Sequence, residues 1–326
     1  MDRAPHRHRN HNRGQSTTGT AVTILRYMLR ALGWGVAGLL IGAFLIGYAA
    51  PYLPPAHFWW TNLFAVVLPP LGLVVGLLGF GLLGWGVYRR RWGRVAIVGV
   101  LLGLIVVRFA PRLSVGDASA GSAETLRLMT FNVPMVFARQ DASARALGRF
   151  VRQEAPDVVA FQESWMATGD DPWSGREARF WPPRVFLEDS LGYALPRGHP
   201  AQTTICQPVL GQVVLDSMSV HPLPPDGETD KCSQYTRTRF RWQGQPAVLY
   251  NVHLHTIGTV RPWKEATEWG SLDRWRAFLQ AYRDGALHRA QQARLIRRRI
   301  NEEVHPVLVA GDFNSTPHQW AYRHVA

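Results

Sequence analysis

Val307-Leu308-Val309-Ala310-Gly311-Asp312-Phe313-Asn314 is the stretch on which the reading of this chain turns. Small and branched apolar residues that stop at a glycine and two short polar side chains describe a buried strand delivering an acid and an amide to one edge of a sheet. Phosphate-cleaving metal sites are often built this way. Gly-Asp and Asn also make ordinary turns, so the stretch needs partners. Other strand ends in the same part of the chain supply them.

Leu126 to Phe131 alternates as a strand and ends at Asn132. Ala142 to Glu154 carries Leu147, Phe150 and Val151 at helical spacing and stops at Pro156. Val158 to Gln162 is the next strand, ending at Glu163. A strand, helix, strand order favours a right-handed crossover between parallel neighbours, which brings Asn132 and Glu163 to one edge. Amide and carboxylate oxygens are what a hard divalent cation such as magnesium accepts, usually with several waters retained. Farther on, Thr236 to Trp242 and Ala247 to Asn251 read as a hairpin turning at Gln243-Gly244. Its second strand runs on through Val252, His253, Leu254 and His255, so with period two the histidines share one face. Glu265 to Glu303 reads as largely helical, with Gly270 and Gly285 as breaks and Arg297, Arg298 and Arg299 as a solvated face.

The set Thr130-Phe131-Asn132, Phe161-Gln162-Glu163, Asn251-Val252-His253-Leu254 and Gly311-Asp312-Phe313-Asn314, in this order, resembles the endonuclease/exonuclease/phosphatase superfamily. The resemblance covers Leu126 to about Pro317. It implies an α/β fold, a four-layered α/β/β/α sandwich, and a metal-dependent phosphoester hydrolase using magnesium or manganese. Residue by residue, Glu163 matches the principal metal-binding carboxylate, with Asn132 beside it in the metal shell or on the phosphate. Asp312 and Asn314 match the pair that orients the attacking water and steadies the phosphate. His253 matches the histidine that contacts the phosphate or assists the leaving group. Phosphoryl transfer chiefly needs positioning and neutralisation of charge on nonbridging oxygens, which agrees with these groups. His255 has no counterpart and is read as a neighbour.

The family pattern continues past Asn314 through further strands to a terminal Ser-Asp-His, whereas this sequence stops at Ala326, with only His318 and His324 following. The expectation is an incomplete C-terminus that leaves a sheet edge uncovered. The hydrolase assignment then describes the lineage more than the activity of these 326 residues. A membrane-anchored binding module that keeps the fold without the chemistry is the alternative.

Residues before the domain are of another kind. Between Met1 and Arg112 there are twelve arginines and one acid, so +11 of the formal +13 lies there and +2 remains for the rest. The later domain is therefore nearly neutral and does not gather a polynucleotide by a bulk basic field. Leu32 to Ala50 and Phe58 to Tyr88 carry no charge, the latter broken by Pro69 and Pro70, and Val95 to Val107 lies between Arg94 and Arg108. These runs predict an all-α transmembrane region of three helices. Residues 1–23 read as a basic solvated tail containing His6, His8 and His11, 24–112 as the membrane region, 113–125 as a small polar linker and 126–326 as the hydrolase-like domain.

Arg3, Arg7, Arg9 and Arg13 in the tail and Arg89, Arg90, Arg91 and Arg94 in the second loop place both in the cytoplasm by the positive-inside rule. An odd number of spans then predicts a multi-pass protein whose domain is extracytoplasmic. That compartment permits Cys206 and Cys232 to pair, while two free thiols stay equally open. The resemblance implies a phosphoester substrate, with nucleic acid and a phospholipid headgroup both open.

Overall fold

The computed structural model describes residues 15–113, 125–133, 141–164, 166–168, 186–198, 203–224, 232–256 and 270–325. The basic tail before Gln15 and the linker between Leu113 and Thr125 lie outside them. The described chain forms two compact units. Residues up to Ile46 and from Leu68 to Leu113 make the first; Gly47–Val67 and everything from 125 onward make the second.

The first unit holds α1 (Gln15–Ala49), α4 (Leu68–Tyr88) and α5 (Trp92–Leu113). The stretches Val22–Tyr52, Leu68–Tyr88 and Trp92–Ala110 are long and apolar enough to cross a membrane. Glycines let α4 approach its neighbours: a methyl at Gly72 would come within 2.8 Å of the Phe109 ring, and one at Gly79 within 3.0 Å of Leu102. Small residues at the contact are how apolar helices pack when no water drives them together. The second apolar helix begins at Leu68 and not at Phe58 as the uncharged run had indicated. Pro69 and Pro70 sit in its first turn, where a missing N–H costs nothing, so they start the helix and do not break it.

The displaced segment belongs to the second unit. Between Ala49 and Leu68 the chain makes a short 3-10 turn (Ala50–Tyr52), α2 (Pro55–Phe58) and α3 (Thr61–Val66). The Gln319 side chain donates to the Asn62 carbonyl at 3.4 Å, and the Arg323 guanidinium lies 4.2 Å above the Tyr52 ring. Thr61 and Asn62 are buried there.

The rest of that unit comprises β1 (Leu128–Asn132), α6 (Asp141–Glu154), β2 (Val158–Gln162), β3 (Met166–Thr168), β4 (Thr203–Ile205), β5 (Val209–Gly211), β6 (Leu215–Pro222), β7 (Gln234–Trp242), β8 (Gln245–His253), α7 (Leu272–Asn301), β9 (Val307–Asp312) and α8 (Trp320–Val325). One sheet runs β1-β2-β5 and the other β6-β7-β8-β9, with β3-β4 a separate ribbon. β1 pairs parallel with β2, and β8 parallel with β9. Gln243 and Gly244 both adopt positive φ and close the β7–β8 hairpin.

Period-two alternation explains the layering. On β2, Val159 and Phe161 pack with Leu147 and Val151 of α6, while Val158 and Ala160 pack with Phe240, Leu249 and Ala310 of the other sheet. On β8, Tyr250 and Val252 turn to Ala290, Ala293 and Ile296 of α7. The order helix, sheet, sheet, helix is the expected α/β/β/α sandwich. Helix α7 runs unbroken through Gly285, which is buried in its packed face. A helix glycine costs about 1 kcal/mol, too little to end a helix anchored on both sides of it. Gly270 precedes the helix, and 257–269 lie outside the described residues. Among the described residues β1 and β9 end their sheets, with Phe131 and Leu308 exposed. A disulfide joins Cys206 and Cys232 with Cα atoms 5.5 Å apart, tying the end of β4 to the start of β7.

Glu303, two residues past the end of α7, clamps β7 to β8. Its carboxylate accepts from Arg237 Nη2 at 2.9 Å and from the Tyr250 hydroxyl at 2.7 Å. The Arg237 hydrogen bond, before burial acts the other way, holds its pKa below the ordinary carboxylate value. A depressed folded pKa stabilises above the unfolded pKa of about 4.3 and is lost as pH falls through the folded value. Glu303→Gln is expected to cost about 1–3 kcal/mol at pH 7. Denaturant melts as a function of pH should show that gap steady down to about pH 5 and closing below about pH 4; a gap independent of pH would remove the clamp from the account.

Candidate active site

Both parallel strand pairs end at the same edge of the sandwich. Asn132 is in register with Gln162, so Glu163 follows one position beyond it; His253 is in register with Asp312. The Asn132 amide bridges the two sheets, Nδ2 donating to Glu163 Oε1 at 3.0 Å and to Asp312 Oδ2 at 2.9 Å. His253 Nε2 lies 3.6 Å from Glu163 Oε1. The structure thus brings together Asn132, Glu163, His253, Asp312 and, through the turn described next, Asn314.

That turn is built by the aspartate itself. Asp312 Oδ1 accepts the Asn314 backbone N–H at 2.8 Å, and Asn314 Nδ2 donates to the Leu254 carbonyl at 2.7 Å. Asn314 has φ 45° and Glu163 has φ 56°, left-handed conformations that asparagine tolerates and glutamate rarely adopts. Strain of about 1–3 kcal/mol at such a residue persists only where the surroundings over-determine it. Gly311 has φ 135°, and any Cβ there would collide with the Val252 carbonyl oxygen. Only glycine lets β9 lie this close to β8.

A cation fits this donor set. Asn132 Oδ1 is buried without a hydrogen-bond partner, while its amide nitrogen is fully engaged by two carboxylates. An orphaned hard oxygen between carboxylates is costly unless a cation takes it. Glu163 is partly open, its side chain 41 % exposed against 18 % for His253, so solvent can complete a coordination shell. Among the described residues no three His, Cys, Asp or Glu side chains gather as a metal-binding cluster. Magnesium does not require one, because it commonly binds through one or two carboxylates and keeps several waters.

Behind the edge lies a polar layer that the sequence reading passed over. Gln162 and Asn251 sit between the sheets, almost fully buried. Gln162 Nε2 donates to Asn251 Oδ1 at 2.7 Å, and Asn251 Nδ2 donates to the Phe161 carbonyl at 2.8 Å. Both residues stood inside the quoted motifs; the available signal was an amide on the apolar face of a strand. Arg289 and Gln292 of α7 were also missed. Arg289 Nη1 donates to the His255 carbonyl at 2.9 Å, and Gln292 Oε1 accepts the His255 N–H at 2.8 Å. Two buried polar residues three apart among Ala286, Ala290 and Ala293 mark a helix face that holds something. They pin the turn after β8, which is where His255 acts as the expected neighbour.

Residues 129–326 match the model of the Endonuclease/Exonuclease/phosphatase family, more than half of the chain, and the protein belongs to that family. Among solved structures, it is similar to beta toxin from Staphylococcus aureus, at 16 % identity over 62 % of this chain and 70 % of that one, with TM-score 0.39. Sphingomyelinase C from Streptomyces griseocarneus gives 15 % identity over 62 % and 69 %, with TM-score 0.39. TDP2 of D. rerio, complexed with single strand DNA product, gives 18 % identity over 59 % of this chain, which spans 61 % of that one, with TM-score 0.36. No curated protein matches the chain.

The bridge between the sheets is testable. Asn251→Leu removes the hydrogen bonds from Gln162 and to the Phe161 carbonyl, leaving Gln162 only Thr130 and the Ala160 carbonyl, and is expected to destabilise by about 1–3 kcal/mol. Adding Gln162→Leu should recover part of that loss, since two apolar groups replace a broken pair. Denaturant unfolding of both single variants and the double checks it; simple additivity would mean the pair is not coupled.

Proposed function

We propose that this protein is a membrane-tethered, metal-dependent hydrolase of phosphoesters whose catalytic domain lies outside the cytoplasm. Membership of the family gives the phosphoesterase class. The observation that carries the rest is the convergence of Asn132, Glu163, His253 and Asp312 within hydrogen-bonding or ion-pair distance at one edge.

Glu163 and the free Asn132 oxygen would hold magnesium or manganese; a beta toxin among the similar structures is described with bound magnesium ions. When bound, that ion would neutralise charge on the phosphate as it is attacked. Asp312, its second oxygen already fixed by the Asn314 N–H, is placed to accept a proton from the attacking water. The Asn132 amide, held by both carboxylates, keeps the two sheets' contributions at a fixed spacing. His253, buried on one side and beside Glu163, is positioned to donate to a phosphate oxygen or the departing alcohol.

Tethering is supported by three helices of sufficient length and apolarity. With three spans, the segment between the first two and the domain after the third fall on the same side of a bilayer. Gly47–Val67 does pack within the domain's own unit. Arginine placement then assigns that side to the exterior.

Hydrolysis of DNA, RNA and vesicle phospholipid by the full chain, with magnesium and with chelator, tests the chemistry. Glu163→Gln is expected to lower metal-dependent turnover by about 10²–10³-fold, the size of losing one main electrostatic stabiliser. No hydrolysis of any substrate, with the variant indistinguishable from wild type, would favour a binding module of the same fold. For orientation, a reporter fused after Arg112 should be active only outside the cytoplasm; cytoplasmic activity would reverse the topology.

A further inference from the structure

Next to Asn314 lies a cavity of about 430 Å³ that the chemistry above does not use. That volume is within the range of small-ligand sites, roughly 300–1,000 Å³. Its apolar lining comes from Phe278 and Tyr282 of α7 and from Leu63 and Val66 of α3; its polar lining includes Arg289, Ser315 and Thr316.

The polar lining is under-satisfied. Arg289 is 2 % exposed, and no carboxylate among the described residues pairs with it. Desolvation lowers its pKa, yet a guanidinium keeps its charge under such pressure. A buried cation without a counter-charge is costly, and an anionic oxygen entering beside it would relieve that cost. The hydroxyls of Ser315 and Thr316 are buried with no hydrogen-bond partner. Each such orphan costs about 1–3 kcal/mol, which the same ligand oxygens would recover. Tyr282, pushed up to about 12 chiefly by burial, remains a neutral phenol whose oxygen accepts from Gln319 at 2.9 Å.

The apolar lining has a different origin. Leu63 and Val66 precede residue 129, where the family match begins, and belong to the segment between the first and second apolar helices. Val66 stands two residues before Leu68, so chain length alone keeps it within about 7 Å of the start of the second apolar helix. An occupant that reaches both walls needs oxygens of negative character at one end and hydrocarbon at the other, and it must be available where the chain enters a bilayer. A phospholipid meets all three conditions. A polynucleotide would leave Leu63 and Val66 unmatched, and the nearly neutral domain offers it little field.

We propose, resting on the hydrolase reading above, that this cavity is the substrate subsite for a bilayer phospholipid: Leu63, Val66, Phe278 and Tyr282 take the first carbons of its apolar body, and Arg289, Ser315 and Thr316 take oxygens flanking the phosphate presented to Asn314. The outer segment Thr61–Val66 is then part of the substrate site as well as a connection between helices.

Photo-crosslinking tests this without requiring turnover. The full chain carrying Leu63→p-benzoylphenylalanine is reconstituted into vesicles of radiolabelled phosphatidylcholine and irradiated. Leu73→p-benzoylphenylalanine, on an outward-facing position of α4 that is 65 % exposed, reports general contact with lipid. Lipid labelling at Leu63 is expected, and filling the cavity from either wall, by Thr256→Trp, at a residue that also lines it, or by Val66→Trp, should reduce it about tenfold, a binding loss of about 1.4 kcal/mol, with Leu73 labelling unchanged. Using two fillers on opposite walls guards against one variant that misfolds. Labelling at Leu73 without labelling at Leu63, Leu63 labelling indifferent to both fillers, or its suppression by a single-stranded oligonucleotide would each overturn the proposal. Phosphatidylcholine hydrolysis is followed in the same vesicles. Its absence alongside filler-sensitive labelling would overturn the hydrolase reading and retain the lipid pocket.

Discussion

Two amides buried between two sheets hold this domain in its working form. Much of the inner faces is apolar, with Thr236 and Thr238 buried on the Phe240 face of β7, and apolar contact tolerates sliding because dispersion and burial have no direction. Gln162 and Asn251 remove that freedom. Each must find its partner in a dry layer or carry the desolvation of an unpaired amide, and each does so across the gap, one to a side chain and one to a backbone carbonyl. Gln162 is the residue immediately before Glu163, and Asn251 is two before His253. Locking this pair therefore fixes how the end of β2 meets the end of β8, which is the spacing on which Asn132, Glu163, His253 and Asp312 depend.

The same constraint accounts for the unusual backbone nearby. Glu163 leaves β2 in a left-handed conformation because the strand before it is anchored and its carboxylate is held by Asn132 from the adjacent strand. On the other sheet, Gly311 lets β9 press against Val252, which carries Asp312 to the height of His253. Strain and close approach are both located where the candidate site residues leave the strands, and the packed interior bears the cost.

Much of this was legible in residue order. Period two on Val158 to Gln162 and the Gln243-Gly244 turn depend on local chemistry, and β2 and the hairpin appear where that chemistry placed them. The four strand-end motifs named the residues that the structure gathers at one edge. What local pattern missed depended on distant partners. Phe58 to Val67 is as uncharged as a membrane span, yet its Asn62 is buried and bonded to Gln319 and Trp320, more than 250 residues away in the chain. Arg289 looks like one more arginine of a basic helix until the carbonyl it holds, that of His255, is placed beside it. The pairing of Cys206 with Cys232 likewise depended on β4 and β7 being brought together by the fold.

The segment Gly47–Val67 changes what the apolar helices mean for the fold. A tether that only retains a domain near a surface needs a flexible linker and nothing more. Here the chain between the first and second apolar helices is folded into the domain, with Asn62 bonded to Gln319 and Tyr52 under Arg323. Ordering such a segment costs conformational entropy of about 1–2 kcal/mol per residue, which packing must offset before the arrangement persists. The second unit therefore has two covalent connections to the apolar helices, through Gly47–Val67 and through the chain after Leu113.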